Sequence, residues 1–141
     1  MNKTILLVED NPSDIELTKR ALSKSRIANE LVVKEDGKEA LDYVLQECCA
    51  PGALLPALIL LDLKLPKVDG LTVLKTLRSD ERTRRIPIVI LTTSSEQLDI
   101  SSSYDLGANS YIRKPVDFNQ FVEAVNSLGL YWLVVNEAPP Y

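Results

Sequence analysis

The chain has 141 residues, of which 45% are hydrophobic and 26% are charged, and its formal net charge is −4. This length predicts one domain, with a single sheet and its covering helices, and no second domain that could bind DNA or catalyse a reaction as an output. The negative charge argues against a nucleic-acid partner, and we interpret the basic cluster Arg82, Arg84 and Arg85 as a solvated turn. Histidine is absent, which excludes Ser-His-Asp and Cys-His catalysis, most transition-metal sites and a phosphohistidine on this chain.

The N-terminus and the cysteines predict the compartment. Residues 1–4 lead directly into an apolar strand, without the hydrophobic region or cleavage site of a signal peptide. No segment approaches the roughly 20 apolar residues of a membrane span. Cys48 and Cys49 are adjacent and cannot join two parts of a fold, which favours a reducing environment. We therefore expect a cytoplasmic protein without a membrane partner.

The first part of the chain predicts two strands, each followed by a helix. The strands are Ile5–Val8 and Leu31–Val33. Asn11-Pro12 is a capping residue with proline at the first turn, so the first helix should begin there and run to about Lys24. Asp36 caps the second helix. The apolar positions expected to face inward on these two helices are Ile15, Ala21, Leu22, Ala40, Leu41, Val44 and Leu45.

The central stretch is an apolar run, Leu58–Leu61, that ends on Asp62 and is stopped by Pro66. A run that is apolar on both faces is typical of a parallel strand covered by helices on both sides. Ligands of such sheets bind at the carboxyl ends of the strands. We therefore expect Asp62 to lie at the mouth of a site rather than in the core.

The remainder continues the alternation of strand and helix. Strands are predicted at Pro87–Leu91, which ends on Thr92, and at Ser110–Arg113. The segment from Ser94 to Gly107 has weak helical periodicity. The apolar positions that mark the helices on either side of it are Leu71, Leu74, Leu77, Phe118, Phe121, Val122, Val125 and Leu128. Five alternations predict an α/β fold with a doubly wound, five-stranded parallel sheet in the flavodoxin-like order 2-1-3-4-5.

Polar side chains follow four of the predicted strands. Glu9 and Asp10 follow the first strand, Asp62 the third, Thr92 the fourth and Lys114 the fifth. In the order 2-1-3-4-5 the first and third strands are neighbours, so three carboxylates should converge. Like charges at that distance repel one another unless a cation lies among them. Carboxylates without histidine favour a hard divalent cation, Mg²⁺ or Mn²⁺.

A cation, a lysine and a hydroxyl around one carboxylate suit phosphoryl transfer to that carboxylate. We predict Asp62 as the nucleophile because it alone ends the central strand. Glu9 and Asp10 would hold the metal together with Asp62 and the backbone carbonyl of Lys64. Lys114 and Thr92 would then act on Asp62 and on the transferred phosphoryl oxygens. Taken singly, the acids could instead be a solvated helix cap, the lysine a surface charge and the threonine a hydroxyl bonded to backbone.

The chain resembles the receiver domains of two-component response regulators over residues 4 to about 128. The motifs that carry the resemblance are Glu9-Asp10, Leu61–Pro66, Asp69-Gly70, Thr92 and Lys114-Pro115. The resemblance implies that Asp62 accepts a phosphoryl group, with Mg²⁺, from the phosphohistidine of a sensor histidine kinase. It also implies that Thr92 and Tyr111 form a conformational switch. Such a protein catalyses only its own phosphorylation and dephosphorylation, and is otherwise not an enzyme.

The apolar segment 130–135 and the ending 136–141 are similar to those of the single-domain regulators that partner cyanobacterial phytochromes. This resemblance implies a phytochrome as the kinase. We expect a receiver domain over residues 1–128 and a C-terminal extension over 129–141. The apolar tail could extend the last helix and fold back on its own domain, or it could form a partner surface. Because exposed apolar surface of this size marks an interface, we expect a homodimer through this tail and the last strand-helix unit, with the interface residues Tyr131, Trp132, Leu133 and Val134. With no output domain, the downstream partner would be an unknown protein.

Three alternative functions share part of this pattern. An aspartate-nucleophile phosphatase needs a second acid two residues after the nucleophile, where this chain has Lys64. A flavodoxin shares the fold, but Glu9-Asp10 would repel the flavin phosphate. A degenerate receiver that acts only as a docking module stays open until labelling of Asp62 is tested. Thr93 stands where the family prefers alanine or glycine, which together with Lys64 and Ser94 predicts slow self-dephosphorylation.

Overall fold

The computed structural model describes residues 4–24, 29–114, 117–129 and 131–132. Strands and helices alternate along the chain as the sequence predicts. The strands are β1 (Ile5–Val8), β2 (Leu31–Lys34), β3 (Leu58–Leu61), β4 (Ile88–Thr92) and β5 (Ser110–Arg113). The helices are α1 (Pro12–Lys24), α2 (Gly37–Asp42), which continues as a π-helix (Tyr43–Cys48), α3 (Gly70–Ser79), α4 (Gln97–Asp105) and α5 (Phe118–Gly129). None of the helices within these residues has both the length and the apolar character of a membrane span.

The five strands form one parallel sheet in the order β2-β1-β3-β4-β5, which confirms the predicted topology. Val8, the last residue of β1, lies opposite Leu61, the last residue of β3. The residues after these two strands therefore emerge side by side at one edge of the sheet. Thr92 at the end of β4 lies opposite Arg113 at the end of β5, so Lys114 follows at the same edge.

The core consists of two apolar layers, one on each face of the sheet. Because successive side chains of a strand point to opposite faces, the residues of β1 and β3 divide between the layers. The first layer packs against α2 and α3 and contains Leu6, Val8, Ile59, Leu61, Ala40, Val44, Val73, Leu74 and Leu77. The second layer packs against α1 and α5 and contains Ile5, Leu7, Leu58, Leu60, Ala21, Leu22, Phe121 and Val125. Fully burying one such side chain contributes about 1.5–3 kcal/mol, so these layers are the main source of stability.

Two features of the helices depart from the sequence prediction: the form of the second helix, and the burial of four residues expected on apolar faces, Ile15, Leu41, Leu45 and Leu71, which are half-buried at the edges of the core layers. The predicted second helix changes to π form at Tyr43, where Val44 and Cys48 are both buried and the Lys34 ammonium lies 5.1 Å from the centre of the Tyr43 ring. In α3, Val73 is buried whereas Leu71, which was predicted to face inward, is only half-buried. Leu71 directly follows the first residue of the helix, where it packs at the edge of the first layer.

Helix α4 was the least periodic segment, and it is correspondingly exposed. Within it only Ser103 is buried. Leu98 and Tyr104 are 74% and 50% exposed. The helix therefore packs through few apolar contacts, which explains why its sequence gives no clear amphipathic pattern.

Arg78, near the end of α3, fastens this helix to two loops. Its guanidinium donates hydrogen bonds of 2.8 Å to the carbonyl oxygens of Ile86 and Gly107 and to Asn109 Oδ1, and one of 3.0 Å to the carbonyl of Arg84. Asn109 Oδ1 also accepts the amide of Ile88 at 2.8 Å. The planar fork of arginine suits several acceptors in fixed directions. The Arg78 side chain therefore links the loop before β4 to the loop before β5 through hydrogen bonds.

The C-terminal extension is described at two residues, Tyr131 and Trp132. Trp132 is half-buried and packs on the second core layer, and its ring meets that of Tyr131 edge-on with 4.9 Å between centroids. Tyr131 is 49% exposed. Leu133 and Val134 lie outside the described residues. Because α5 ends at Gly129, the expected division at residues 128 and 129 falls at the end of that helix.

Candidate functional site

Backbone hydrogen bonds hold the residues that follow the strands. The amide of Asp62 donates to the carbonyl of Val8 at 3.1 Å, and the amide of Glu9 donates to the carbonyl of Lys34 at 3.0 Å. The amide of Lys114 donates to the carbonyl of Thr92 at 2.6 Å. These bonds extend the sheet ladder beyond the strand ends, so the side chains start from fixed backbone positions.

Glu9, Asp10 and Asp62 converge as predicted. Each offers a carboxylate oxygen that lies within 4.8 Å of those of the other two. Glu9 and Asp62 are buried, whereas Asp10 is exposed and lines a cleft of about 620 Å³ with Lys64, Asp69 and Asp99. This all-oxygen donor set fits a hard cation such as Mg²⁺ or Mn²⁺, and the cleft gives access to water ligands.

The backbone of Lys64 borders Asp62. Its amide lies 3.3 Å from Asp62 Oδ1, while its side chain is exposed. A role of the Lys64 carbonyl in metal binding stays a prediction.

Lys114 contacts the same cluster. Its buried ammonium forms ion pairs with Glu9 Oε1, with Asp62 Oδ2 at 3.1 Å and with Asp14 Oδ2 at 2.9 Å. The pairing with Asp62 was predicted, but Asp14 was not identified from the sequence. A signal was available, because Asp14 lies in the first turn of α1, three residues after Asn11, whose Oδ1 accepts the amide of Asp14 at 3.1 Å. That turn begins at the edge of the sheet where the other acids lie.

The pKa values of the two buried carboxylates, Glu9 and Asp62, are shifted in opposite directions. Burial raises the pKa of Glu9 to about 7, although the hydrogen bond from Lys114 opposes the shift. Burial also acts to raise the pKa of Asp62, but the hydrogen bond from Thr92 and the Lys114 ammonium outweigh it, so this pKa is lowered. Burial acts to lower the pKa of Lys114, yet its bonds to Glu9 and Asp14 and the charge of Asp62 raise it. At neutral pH Asp62 is therefore an anion facing a cation, as a nucleophilic carboxylate requires.

Thr92 and Tyr111 are linked through the loop that follows β4. The fully buried Thr92 lies close enough to Asp62 for its hydroxyl to lower the pKa of that carboxyl, and the hydroxyl oxygen lies 3.5 Å from the amide of Ser94. Tyr111 donates its phenol hydrogen to the carbonyl of Ser94 at 2.8 Å. The Ser94 hydroxyl donates to Asp99 at 2.6 Å. A displacement of Thr92 could therefore reach Tyr111 through the contacts that both residues make with the backbone of Ser94.

The loop after Asp62 requires glycine at a close backbone contact. A Cβ at Gly70 would overlap the carbonyl oxygen of Asp62, and the Gly70 amide donates to the carbonyl of Leu63 at 3.0 Å. Asp69 caps α3 by accepting the amide of Thr72 at 2.9 Å. The Asp69-Gly70 pair therefore starts α3 directly against the backbone of Asp62.

Gly37, at the start of α2, makes a second close contact with this loop. Its amide donates to the carbonyl of Pro66 at 3.3 Å, and a Cβ at Gly37 would overlap the carbonyl of Val68. Between those two loop residues, Lys67 adopts the left-handed conformation with φ 67°. The loop after Asp62 is therefore fixed by α2 as well as by α3.

Known proteins of similar sequence include response regulators. The sequence pattern of the response regulator receiver domain matches residues 5–126. Response regulator Rcp1 of Synechocystis sp. is 38% identical over 131 residues, which are 93% of this chain and 89% of that protein. The probable methanogenesis regulatory protein FilR2 of Methanothrix harundinacea is 43% identical over 136 residues, which are 96% of this chain and 86% of that protein.

Solved structures give the same result. The phosphorylated cyanobacterial phytochrome response regulator RcpA superposes with a TM-score of 0.90 at 44% identity and covers 99% of both chains. The bacteriophytochrome response regulator RtBRR is 53% identical with a TM-score of 0.78, over 99% of this chain and 86% of that one. The Mn²⁺-bound form of Rcp1 has a TM-score of 0.87 at 37% identity, over 97% of this chain and 99% of that one.

Fold, site geometry and sequence similarity agree. The chain belongs to the response regulator receiver domain family of phosphorelay signalling.

Proposed function

We propose that this protein is a single-domain response regulator that accepts a phosphoryl group on Asp62 from the phosphohistidine of a sensor histidine kinase. The observation that carries the proposal is the setting of the Asp62 carboxylate. It pairs with the Lys114 ammonium at 3.1 Å, lies beside the Thr92 hydroxyl and is one of the three carboxylates of the acidic cluster. Nucleophile, positive charge and hydrogen-bond donor are the parts that phosphoryl transfer to a carboxylate needs.

In the proposed transfer, a carboxylate oxygen of Asp62 attacks the phosphorus of phosphohistidine. The P–N bond breaks, and its electron pair leaves with the imidazole nitrogen, which takes up a proton. Lys114 and Thr92 then stabilise the phosphoryl oxygens by charge and by hydrogen bonding. Later attack of water on the phosphorus releases inorganic phosphate and restores the carboxylate.

A divalent cation completes the proposed site. Glu9, Asp10, Asp62 and the backbone carbonyl of Lys64 would hold Mg²⁺ or Mn²⁺. When bound, the cation would neutralise the negative charge of the phosphoryl group. The all-oxygen donor set supports this assignment, as does the Mn²⁺ bound to the similar protein Rcp1.

The output of the proposed reaction is a change of surface. On phosphorylation a movement of Thr92 toward the phosphoryl group would move the loop that carries Ser94, and Tyr111 would follow through its hydrogen bond to the Ser94 carbonyl. The exposed side chains nearest in sequence to this loop belong to α4, including Leu98. A downstream protein would read this change by direct contact.

We further propose a phytochrome as the partner kinase, a homodimer as the assembly and the cytoplasm as the location. The phytochrome assignment is supported by the similarity to RcpA and RtBRR, which are phytochrome response regulators by name. The dimer would use Tyr131, Trp132, Leu133 and Val134. The 49% exposure of the Tyr131 side chain supports a contact there.

Labelling with a small phosphodonor tests the central proposal. Acetyl phosphate with Mg²⁺ should add one phosphoryl group to the wild-type protein by intact mass, and none to Asp62→Asn. Asp69→Asn is the matched control, because asparagine can still cap α3 and the variant should be labelled normally. Absence of label on the wild type would favour the docking-module alternative, and equal label on Asp62→Asn would exclude Asp62 as the acceptor.

A further inference from the structure

Lys114 pairs with one carboxylate that lies outside the acidic cluster. Its ammonium contacts Glu9 and Asp62, which belong to that cluster, and also Asp14, which does not. The bond to Asp14 is 2.9 Å long, shorter than the 3.1 Å bond to Asp62. A buried ammonium has three protons to donate, and each of these three finds a carboxylate.

The position of Asp14 is fixed independently of Lys114. Its amide donates to Asn11 Oδ1 at 3.1 Å, and its carbonyl accepts the hydroxyl of the buried Thr18 at 2.8 Å. The Asp14 side chain is 24% exposed, whereas that of Lys114 is 5% exposed. Asp14 is therefore the more exposed partner in this ion pair, and it contacts the ammonium from the first turn of α1, whose backbone is held by these two hydrogen bonds.

The lysine and a divalent cation use the same carboxylates. Both are positive, so a cation bound by Glu9 and Asp62 weakens the hold of these residues on the ammonium. An ammonium deprived of those partners would be buried with unsatisfied protons, unless another acceptor remains. Asp14 is that acceptor, because it lies outside the set of oxygens that converges on the metal position.

We propose that Asp14 is a positioning residue for Lys114, which keeps the ammonium beside Asp62 when a divalent cation occupies the cluster. The inference rests on the metal site of the proposed function and deepens it. Asp14 has two consequences for the site: it lowers the competition between lysine and cation for Glu9 and Asp62, and it holds the lysine where the incoming phosphoryl oxygens arrive.

Calorimetric titration with Mg²⁺ tests the first consequence. At near-physiological salt, Asp14→Asn should weaken Mg²⁺ binding about threefold to tenfold, because the lysine then relies on Glu9 and Asp62 alone. Glu16→Gln removes one charge from an exposed position of the same helix and should leave the affinity within about twofold. In a Lys114→Met background Asp14→Asn should change the affinity less than about twofold, because its effect passes through the lysine.

Chemical labelling of Lys114 tests the second consequence without relying on the Lys114→Met variant. Acylation of Lys114 by an amine-reactive reagent is followed by peptide mass spectrometry, with and without saturating Mg²⁺. In the wild type Mg²⁺ should change the acylation rate less than about twofold, whereas in Asp14→Asn it should raise the rate about fivefold or more. The isosteric substitution at a partly exposed position leaves the fold intact, which circular dichroism verifies.

The outcomes separate the inference from the proposed function. If the wild type fails to bind Mg²⁺, the proposed metal site is wrong and the inference falls with it. If the wild type binds Mg²⁺ but Asp14→Asn binds equally well, or weakens binding to the same extent in the Lys114→Met background, Asp14 does not act through Lys114. An equal response of Lys114 labelling to Mg²⁺ in both proteins would likewise overturn the inference and leave the metal site standing.

Discussion

The raised pKa of Glu9 predicts that Mg²⁺ binding depends on pH. With a pKa of about 7, Glu9 carries a proton over most of the acidic range, and a cation must displace it. The affinity for Mg²⁺ should therefore rise with pH up to about 7 and level off above it. About 3% of Glu9 is ionised at pH 5.5 and about 90% at pH 8, so Mg²⁺ should bind about thirtyfold more weakly at pH 5.5. Asp62 contributes little to this slope because its lowered pKa keeps it ionised throughout.

Calorimetry at constant ionic strength measures the effect in two ways. The dissociation constant should fall about eightfold between pH 5.5 and 6.5, and titrations in two buffers of different ionisation enthalpy should reveal release of about one proton per Mg²⁺ there. Glu9→Gln is the control; it should bind Mg²⁺ more weakly at pH 8 and show almost no slope. A flat wild-type profile, or a slope that survives in Glu9→Gln, would refute the assignment of the proton to Glu9.

Three further predictions concern the fold and the assembly. Arg78→Ala should lower the free energy of unfolding in urea by about 2–4 kcal/mol, because four carbonyl or amide oxygens lose a charged donor; a loss below about 0.5 kcal/mol would contradict this reading. Gly37→Ala should destabilise by about 2 kcal/mol or more through overlap with the Val68 carbonyl, whereas Gly52→Ala, at φ 80° in open space, should destabilise by only about 1 kcal/mol. Tyr131→Ser should shift the proposed dimer toward the monomer in analytical ultracentrifugation, and a wild-type protein that is monomeric at micromolar concentration, with or without phosphorylation, would rule the dimer out.

The strands, their order and the convergence of the acids could be predicted because the signals are local. Apolar runs of strand length, each ending on a polar residue, specify a buried parallel sheet and the edge at which its functional groups lie. Asp62 and Lys114 are 52 residues apart in sequence, yet both directly follow a strand and could be paired by topology alone.

The missed features depend on packing that no local pattern reports. Asp14 pairs with Lys114 across 100 residues; its place in the first turn of α1 indicates the edge of the sheet at which it lies, but the pairing itself depends on the fold. The π-helix over Tyr43–Cys48 replaces a predicted α-helix; Val44 and Cys48 are four residues apart and would share a buried face in an α-helix as well, so the apolar pattern does not distinguish the two forms. Arg78 reads as a surface charge in sequence, and only the meeting of two distant loops gives it partners.

The division of the core into two layers determines what could be observed of the proposed switch at Thr92 and Tyr111. Tyr111 packs on the layer beside α2 and α3, whereas Trp132, the single tryptophan, packs on the layer beside α1 and α5. The sheet lies between them, so the indole makes no direct contact with the phenol that would report its movement. A spectroscopic reporter of activation would have to be introduced on the other side, for example at the exposed Leu98 of α4, and the native indole would then serve as an internal reference.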